Sequence, residues 1–478
     1  MSPSVEPFNE AKYKALMDGL KCKEILLSDT YASTDYFRLE AEYYNSTTVS
    51  YRRSLKGKDV ALNIQYGTSK FCDEQKNGYP VLRLNELHNA FIDTPQKYCH
   101  TLTQDEFEKL RLKKGDVLII RTNGNPNLVG KAAVVLEDTD YAFASYLYRV
   151  NTNEQINPET LVAYLNCRYG RYEIDKNSIK GNQTNFSPAK FCDIVIPHFN
   201  KSLQNTIEDS FAKAYQYREE SISTFSQVEQ FLISAIGFNF ESKQSNISIK
   251  ELSESYFISG RLDAEYYQPK FDQIESIIKR VEHTTLGDIS EIESGEFLSE
   301  KLYGNKGLPY IRGTEITSPT VDSQSAIKVD TSIDGLKAIE TNDLAFAMIG
   351  SVGNVAINRK GVAIVSNNLG SIKLHDKSIS NYVLLYLLSD VGQAFFEKYQ
   401  TRTAQPKIRK EDVAKFIIPV LHKTKIDYIS QQVLKSFELK EKTETLVNYA
   451  IKAVEIAIEQ SEESAEKWLR EKVAKLEE

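Results

Sequence analysis

No apolar run in this 478-residue chain approaches the roughly 20 residues that a bilayer-spanning helix needs, so a membrane protein is not expected. The first residues, MSPSVEPFNEAKYKALMDG, lack an apolar core of signal-peptide length. Cysteine is scarce. The five present (Cys22, Cys72, Cys99, Cys167 and Cys192) are odd in number, lie in the first half and form no CxxC pair. That excludes a disulfide framework or a zinc ribbon and fits a reducing, cytoplasmic setting. Basic residues are outnumbered, 59 Lys and Arg against 66 Asp and Glu, for a net charge of −7. A protein that binds nucleic acid over its whole surface would need the opposite balance. The sum hides local patterns, however, and the last stretch, IEQSEESAEKWLREKVAKLEE, concentrates acids that mask basic loops elsewhere.

Catalytic signatures are missing too. GNPNLVGKA (Gly124–Ala132) resembles a phosphate loop, but five residues separate its glycines where four are required. It also has Ala132 where a magnesium-binding Ser or Thr belongs. No GxGxxG opens a helix, and no N-P-P-[FY] tetrapeptide is present. The six histidines are scattered without HExxH spacing, and GSVG at Gly350 is one residue short of a nucleophile elbow. Asp263 and Glu265 alternate in a segment better suited to a surface or a cap. No catalytic residue, metal ligand or cofactor is therefore expected on this chain.

What is present is a repetition. RLEAEYY at Arg38 returns as RLDAEYY at Arg261, 223 positions later. YPVLRLNEL (from Tyr79) is answered by LPYIRGTEI (from Leu308), and KKGDVLIIRTNGNPNLVGKAAVV (from Lys113) by ETNDLAFAMIGSVGNVAINRKGVAIV (from Glu340). GNQTNFSPAKFCDIVIP (from Gly181) is answered by TAQPKIRKEDVAKFIIP (from Thr403). Gly130 and Gly353 lie 223 positions apart, and Pro197 and Pro419 lie 222 apart. Ordered matches at a steady offset mean a tandem duplication. The length, too great for one core, agrees with that.

Each copy mixes short β-branched runs such as DVLII and AAVVL with two stretches of helical spacing, PETLVAYLNCRYGRYEI and SNYVLLYLLSDVGQAFFEKY. Their apolar faces are Leu161/Tyr164/Leu165 and Val383/Leu384/Leu387/Leu388. The class expected is α+β. After each copy comes a long stretch with an apolar seam and no Pro or Gly. In the first, from Leu203 to Ile236, the seam is Ile207, Phe211, Ala214, Arg218, Ile222, Phe225, Val228 and Leu232. In the second, from Ile426 to Ile458, it is Ile429, Val433, Phe437, Val447, Ala450 and Val454. Such seams pair as coiled coils. The organisation expected is a domain over 1–200, a central helix over 201–245, a second domain over 246–420 and a C-terminal helix and tail over 421–478.

Three loops per copy combine hydrogen-bond donors with a flexible backbone. In the first copy they supply Arg83, then Arg121, Asn123 and Asn125, then Lys180, Asn182, Gln183 and Asn185. The second copy supplies Arg312 with Glu315, then Arg402, Gln405, Lys407 and Arg409 in QTRTAQPKIRK (Gln400–Lys410). Asn and Gln can pair with adenine, and Arg and Lys with guanine or phosphate, so these are candidate DNA-binding residues. Clusters of Asn, Gly and Pro are also ordinary turns, but the basic run after Gln400 exceeds what a turn requires. The repeated RLEAEYY and RLDAEYY read as shared scaffold, with the divergent loops as the readers.

In RLDAEYYQPKFD (from Arg261), KKGDVLIIRTNG (from Lys113), QTNFSPAKFCDIVIP (from Gln183) and AQPKIRKEDVAKFIIPVL (from Ala404), each of the last two leading into a long helix, the chain resembles a specificity subunit of a type I restriction–modification enzyme. The resemblance spans essentially the whole chain. It implies two target-recognition domains and two spacer helices packed as an antiparallel coiled coil, in a pseudo-twofold arrangement. Each domain would read half of a split target in double-stranded DNA. Two modification subunits, which bind AdoMet and methylate adenine at N6, would be the partners, joined by motor–nuclease subunits for cleavage. The first ~20 residues have no counterpart in the second copy, and the first copy's last loop is less basic than the second's. Two other readings stay open: a specificity subunit of a two-subunit enzyme that both cuts and methylates, and a duplicated protein-interaction scaffold without DNA.

Overall fold

The computed structural model describes residues 9–18, 24–32, 43–44, 51–238, 247–304, 306–316, 319–330, 336–401 and 404–477. Residues 38–42 of the first repeated phrase and Arg402 lie outside the described residues. Contacts divide the chain into two compact units, Met1–Arg218 with Glu441–Glu478, and Glu219–Lys440. Both mix helices with strands, as an α+β chain should. Among the described residues no helix is long and apolar enough to cross a membrane, and no cluster of His, Cys, Asp and Glu could hold a metal ion.

In the first unit, β1 (Ser54–Lys56), β2 (Ala61–Tyr66), β3 (Tyr79–Leu82), β4 (Leu87–His88), β5 (Phe91–Ile92), β6 (Lys97–Cys99) and β7 (Asp116–Ile120) precede β8 (Thr122–Asn123) and β9 (Ala132–Val134). β10 (Ala142–Phe143), β11 (Leu147–Thr152), β12 (Thr184–Asn185) and β13 (Val195–Pro197) complete it. The main sheet runs β2-β11-β7-β9-β5-β4, and a smaller one runs β10-β3-β6. β7 is buried along its whole length because both of its faces carry a core. Successive side chains of a strand point to opposite faces. Val117 and Ile119 join a cluster with Leu161, Leu165 and Leu203, while Leu118 and Ile120 join another with Val81, Leu82 and Phe143. That is why DVLII is a continuous apolar run and not an alternating one. Behind the sheet lie α1 (Pro158–Asn166), α2 (Arg168–Asn177) and the start of α3 (Lys201–Ile236).

The second unit has β14 (His283–Thr285), β15 (Ser290–Ser294), β16 (Tyr303–Gly304), β17 (Leu308–Ile311), β18 (Ile327–Val329) and β19 (Ala338–Ile339). β20 (Leu344–Ala347), β21 (Val355–Ile357), β22 (Ala363–Val365), β23 (Leu369–Leu374) and β24 (Ile417–Pro419) follow. Its sheet runs β15-β23-β20-β21, the same order as β2-β11-β7-β9. β22 lies parallel to β17 as β10 does to β3, and β24 pairs with β14 as β13 does with β1. β20 splits its side chains as β7 does, Leu344 and Phe346 to one core, Ala345 and Ala347 to the other. Its helices are α4 (Pro269–Ile278), α5 (Ser380–Leu388), α6 (Asp390–Tyr399) and most of the first half of α7 (Lys423–Glu459).

Each of the two shorter runs with helical spacing is broken once. Cys167 (φ −74°, ψ 165°) separates α1 from α2, and Ser389 (φ −65°, ψ 158°) separates α5 from α6. Both are extended and act as N-caps: Cys167 Sγ accepts from Gly170 N at 3.5 Å, and Ser389 Oγ from Gly392 N at 3.4 Å. Burial pushes the Cys167 thiol up to about 12, so it is a packing group and not a nucleophile.

The long helices pair within each unit. In the first, Ser210 Oγ donates to the Leu446 carbonyl at 3.3 Å and Thr443 Oγ1 to that of Ala214 at 3.2 Å. In the second, Ser221 and Ser436 each donate to the other's carbonyl, at 2.8 and 3.1 Å, and Phe231 meets Tyr428 edge to face. Partner numbers fall as α3 numbers rise, so the helices run antiparallel in each unit. Most seam residues are buried. Ile222 is not, being 51% exposed, and Arg218 turns aside to Asp93 at 2.6 Å. The small Ser221 beside Ile222 takes the contact with α7 instead.

The acidic tail forms α8 (Glu462–Glu477), packed in the first unit. Ala465 and Leu469 are fully buried, Trp468 meets Tyr449 edge to face at 5.6 Å, and Glu466 accepts from Ser202 at 2.7 Å. Leu469→Ala should therefore cost about 2–5 kcal/mol. Urea unfolding followed through the fluorescence of Trp468, the chain's single tryptophan, reads that loss. An unmoved midpoint would show the tail to be dispensable.

Candidate nucleic-acid interface

In both units the last loop returns onto the loop that follows the central strand. In the first, Phe186 N donates to the Arg121 carbonyl at 2.8 Å, and β12 pairs with β8, Asn185 opposite Thr122. Ile179 and Asn185 exchange backbone hydrogen bonds of 2.9 Å, closing Lys180–Thr184 into a hairpin tip. In the second unit, Ile408 N donates to the Met348 carbonyl at 2.9 Å, Gly350 N to Pro406 at 2.9 Å, and Thr401 N to Lys407 at 2.8 Å. A turn ties a third element in. Ala144 N donates to the Leu82 carbonyl and Arg121 N to that of Tyr146, so Arg83 and Arg121 flank one corner. Ser366 N to Ile311 and Met348 N to Asn368 do the same beside Arg312.

The candidate side chains differ in what already holds them. Arg121 lies over the ring of Tyr66 at 5.3 Å and donates to Thr122 Oγ1 at 3.3 Å; it makes no ion pair among the described residues. Asn123 Oδ1 accepts from Asn125 N at 2.8 Å, and Asn125 Oδ1 from Asn127 N at 3.0 Å. These oxygens form the turn, leaving the amide nitrogens as outward donors. Asn182 and Gln183 are exposed at the hairpin tip, and Lys180 pairs loosely with Asp175 at 3.0 Å. Asn185 is half-buried, its amide donating to Thr122 Oγ1 at 3.1 Å, and so belongs to the frame that carries the tip. Arg83 is exposed.

In the second unit two of the arginines hold buried carboxylates. Arg312 pairs with Glu315 at 2.8 Å, and Arg409 with Asp412 at 2.8 Å, where Lys415 joins at 2.9 Å. Burial raises the pKa of both acids, but their cationic partners more than offset it and hold each below the usual range. Both arginines grip their acid with a two-pronged fork, but Arg409 remains largely exposed whereas Arg312 is more than half covered. Lys407 is exposed and makes no ion pair among the described residues; Gln405 is exposed beside it. Lys407, Arg121 and Arg83 thus make no ion pair among the described residues.

Two features escape the reading of single loops. Tyr66, 48% exposed beneath Arg121, and its neighbour Tyr146 add aromatic surface to the first unit's corner. Ile349–Ser351 is the second unit's counterpart of the loop after Arg121, bridged to Lys407. The alignment of AMIGSVGN with IIRTNGNPN carried that signal, but Ile349 and Gly350 have no side-chain donor and Ser351 has only a hydroxyl.

Residues 278–453 match the family described as Type I restriction modification DNA specificity domain. No curated protein matches the chain. Among solved structures, the S subunit of a type I restriction–modification system from M. genitalium is 12% identical, with 90% of this chain and 98% of that one covered, at a TM-score of 0.33. The HsdS subunit from Thermoanaerobacter tengcongensis is 13% identical, with 89% and 96% covered, at a TM-score of 0.27. Likeness at this level does not fix a fold. Over residues 278–453 the chain is thus similar to the type I restriction–modification DNA specificity family.

Proposed function

We propose that the chain reads a bipartite target in duplex DNA and directs adenine-N6 methyltransferase subunits, with restriction subunits for cleavage, to that target. Target recognition is the family's role, and the chemistry is carried by partner subunits. Residues 1–200 and 246–420 would be the two target-recognition domains, duplicates of one another. Residues 201–245 and 421–478 would supply the spacer, an antiparallel coiled coil with pseudo-twofold symmetry. The observation that carries this reading is the matched loop pair. Each unit presents its own donors (Arg121, Asn123, Asn182 and Gln183; Gln405, Lys407 and Arg409) on one topological corner. Helices of 36 and 37 residues reach about 54 Å, enough to serve half-sites about one DNA turn, roughly 34 Å, apart.

A protein partner is supported by the apolar surface around the second repeated phrase. Ile249, Leu252, Phe257, Ile258 and Leu262 are all mostly exposed within a short segment, Ile249 at 93%. Two AdoMet-binding methyltransferase subunits are the partners proposed. Mapping methylated adenines in cells with and without the chain tests the whole reading: a sequence-specific set should disappear with the chain, and an unchanged map refutes it.

Lys407→Ala should weaken DNA binding by a similar factor across sequences and lower the slope of log affinity against log salt by about 0.9, the signature of one lost phosphate contact. A titration series in salt measures this. Loss confined to one base position would instead mean that Lys407 reads a base.

A further inference from the structure

We propose that the twice-written phrase is a positioning latch, which fixes the helix end from which each reading loop departs. In the second unit the guanidinium of Arg261 donates to the carbonyls of Tyr399 and Gln400, at 3.0 and 3.3 Å. Tyr399 ends α6 and Gln400 begins the loop that carries Gln405, Lys407 and Arg409. A helix end leaves carbonyls without partners inside the helix, and a forked cation satisfies two at once. Asp263 holds the fork from the other side, with Nε to Oδ1 at 2.8 Å, and the ring of Tyr266 lies under the guanidinium at 4.6 Å. Tyr266 in turn meets Tyr399 edge to face at 5.6 Å. Lys398 lies over both rings, at 5.1 and 5.6 Å, and is ion-paired with Glu275 of α4. Tyr267 closes the segment on itself, donating to the Arg261 carbonyl at 3.0 Å. Arg261, Asp263 and both tyrosines of the phrase are thereby accounted for without DNA.

The described part of the first phrase repeats the arrangement independently. Tyr43 and Tyr44 meet edge to face at 5.0 Å and 85°, as Tyr266 and Tyr267 do at 4.9 Å and 82°. Lys176 lies over the Tyr43 ring at 5.0 Å, as Lys398 does over Tyr266. Lys176 stands in the last turn of α2, just before the loop that carries Lys180, Asn182 and Gln183. The same lysine-on-tyrosine contact therefore sits at the root of both loops. Arg261 is a positioning residue in this account: it touches the root of the loop and no base.

That these loops read DNA rests on the function proposed above; the latch itself is a statement about loop order. Amide hydrogen exchange on the full chain separates the two. Arg261→Ala should speed exchange in residues 404–409 at least about tenfold, while β20 amides stay slow and show the unit folded. Arg261→Lys, which keeps the charge but loses the fork, should not restore protection. Unchanged exchange in the alanine variant, or full protection in the lysine variant, overturns the latch. In the assembled methyltransferase, Arg261→Ala should relax selection in the second unit's half-site only. Faster exchange with both half-sites unchanged overturns the DNA-reading assignment and leaves the latch standing.

Discussion

Grafting residues 40–200 from another specificity chain is expected to change the recognised bases in one half of the target and leave the other half as it was. The reason is containment. The graft carries the loop after β7 and the hairpin tip at Lys180–Thr184, with Arg83 at the same corner. It leaves untouched the loop after β20 and the run that holds Gln405, Lys407 and Arg409. Every backbone hydrogen bond that seats one of these loops is made within its own unit, so each reader travels with its own frame.

The joint is favourable as well. The cut falls just before Lys201, where α3 begins, and leaves both long helices whole. Between the grafted segment and residues 441–478 the polar contacts are exposed ones, such as Asn89 to Glu444 at 3.1 Å and Arg168 to Glu459. Contacts of that kind contribute little to stability, so what the graft must preserve is the shared apolar core, in which Leu161 and Leu165 pack with Leu203, Leu446 and Leu469. Each bidentate side chain exchanged for another should shift preference at its base by about 1–3 kcal/mol, tenfold or more. Methylated-adenine maps of cells carrying the graft give the answer directly. A change in both halves, or in neither, would sink the assignment of one half-site to each unit.

Much of this arrangement could be read from residues alone, for definable reasons. The matching strand orders of the two units were legible because the repeated anchors are residues a backbone needs, such as Gly130 and Gly353, and these keep their spacing while side chains between them drift. The central strands were legible because a run buried on both faces, as in DVLII, has no polar alternation to hide it. The breaks at Cys167 and Ser389 were not. Neither is Gly or Pro, and the periodicity on either side continues as though nothing had happened; the turn is made by side-chain capping of a backbone amide, which leaves almost no trace in composition. The same limit applies to the candidate site. Arg312 and Arg409 look like ligand-seeking cations in a list of residues, yet each is bound to a buried acid three positions on. That spacing was visible, as Arg-x-x-Glu and Arg-x-x-Asp, but whether the acid is buried depends on strands far away in sequence. The acidic tail misled in the opposite sense. Its charge hides an apolar stripe, on which Ala465 and Leu469 are fully buried in the first unit.

Gly392→Ala is expected to destabilise the second unit by about 3 kcal/mol or more, beyond the usual cost of an overfilled core. After the break at Ser389, α6 doubles back so closely that a Cβ on Gly392 would lie 2.1 Å from the Tyr386 carbonyl oxygen and 2.6 Å from Leu387 Cα. Both are backbone atoms, so no rotamer change relieves the clash, and α6 must move off α5. The first unit has the same constraint: a Cβ on Gly170 would lie 1.9 Å from the Tyr164 oxygen. Moving α6 also moves Tyr399, and with it the carbonyls that Arg261 holds, so the loop that carries Gln405, Lys407 and Arg409 loses its root along with the unit's stability. For a unit of this size the melting transition should fall by roughly 6–12 °C, measurable by calorimetry on the full chain. Gly304→Ala is the matched control, because a Cβ there meets nothing within 4 Å, and it should move the transition by a degree or so at most. Equal behaviour of the two variants would mean that α5 and α6 are not packed as closely as this geometry requires, and the framework from which the loop after Tyr399 departs would have to be redrawn.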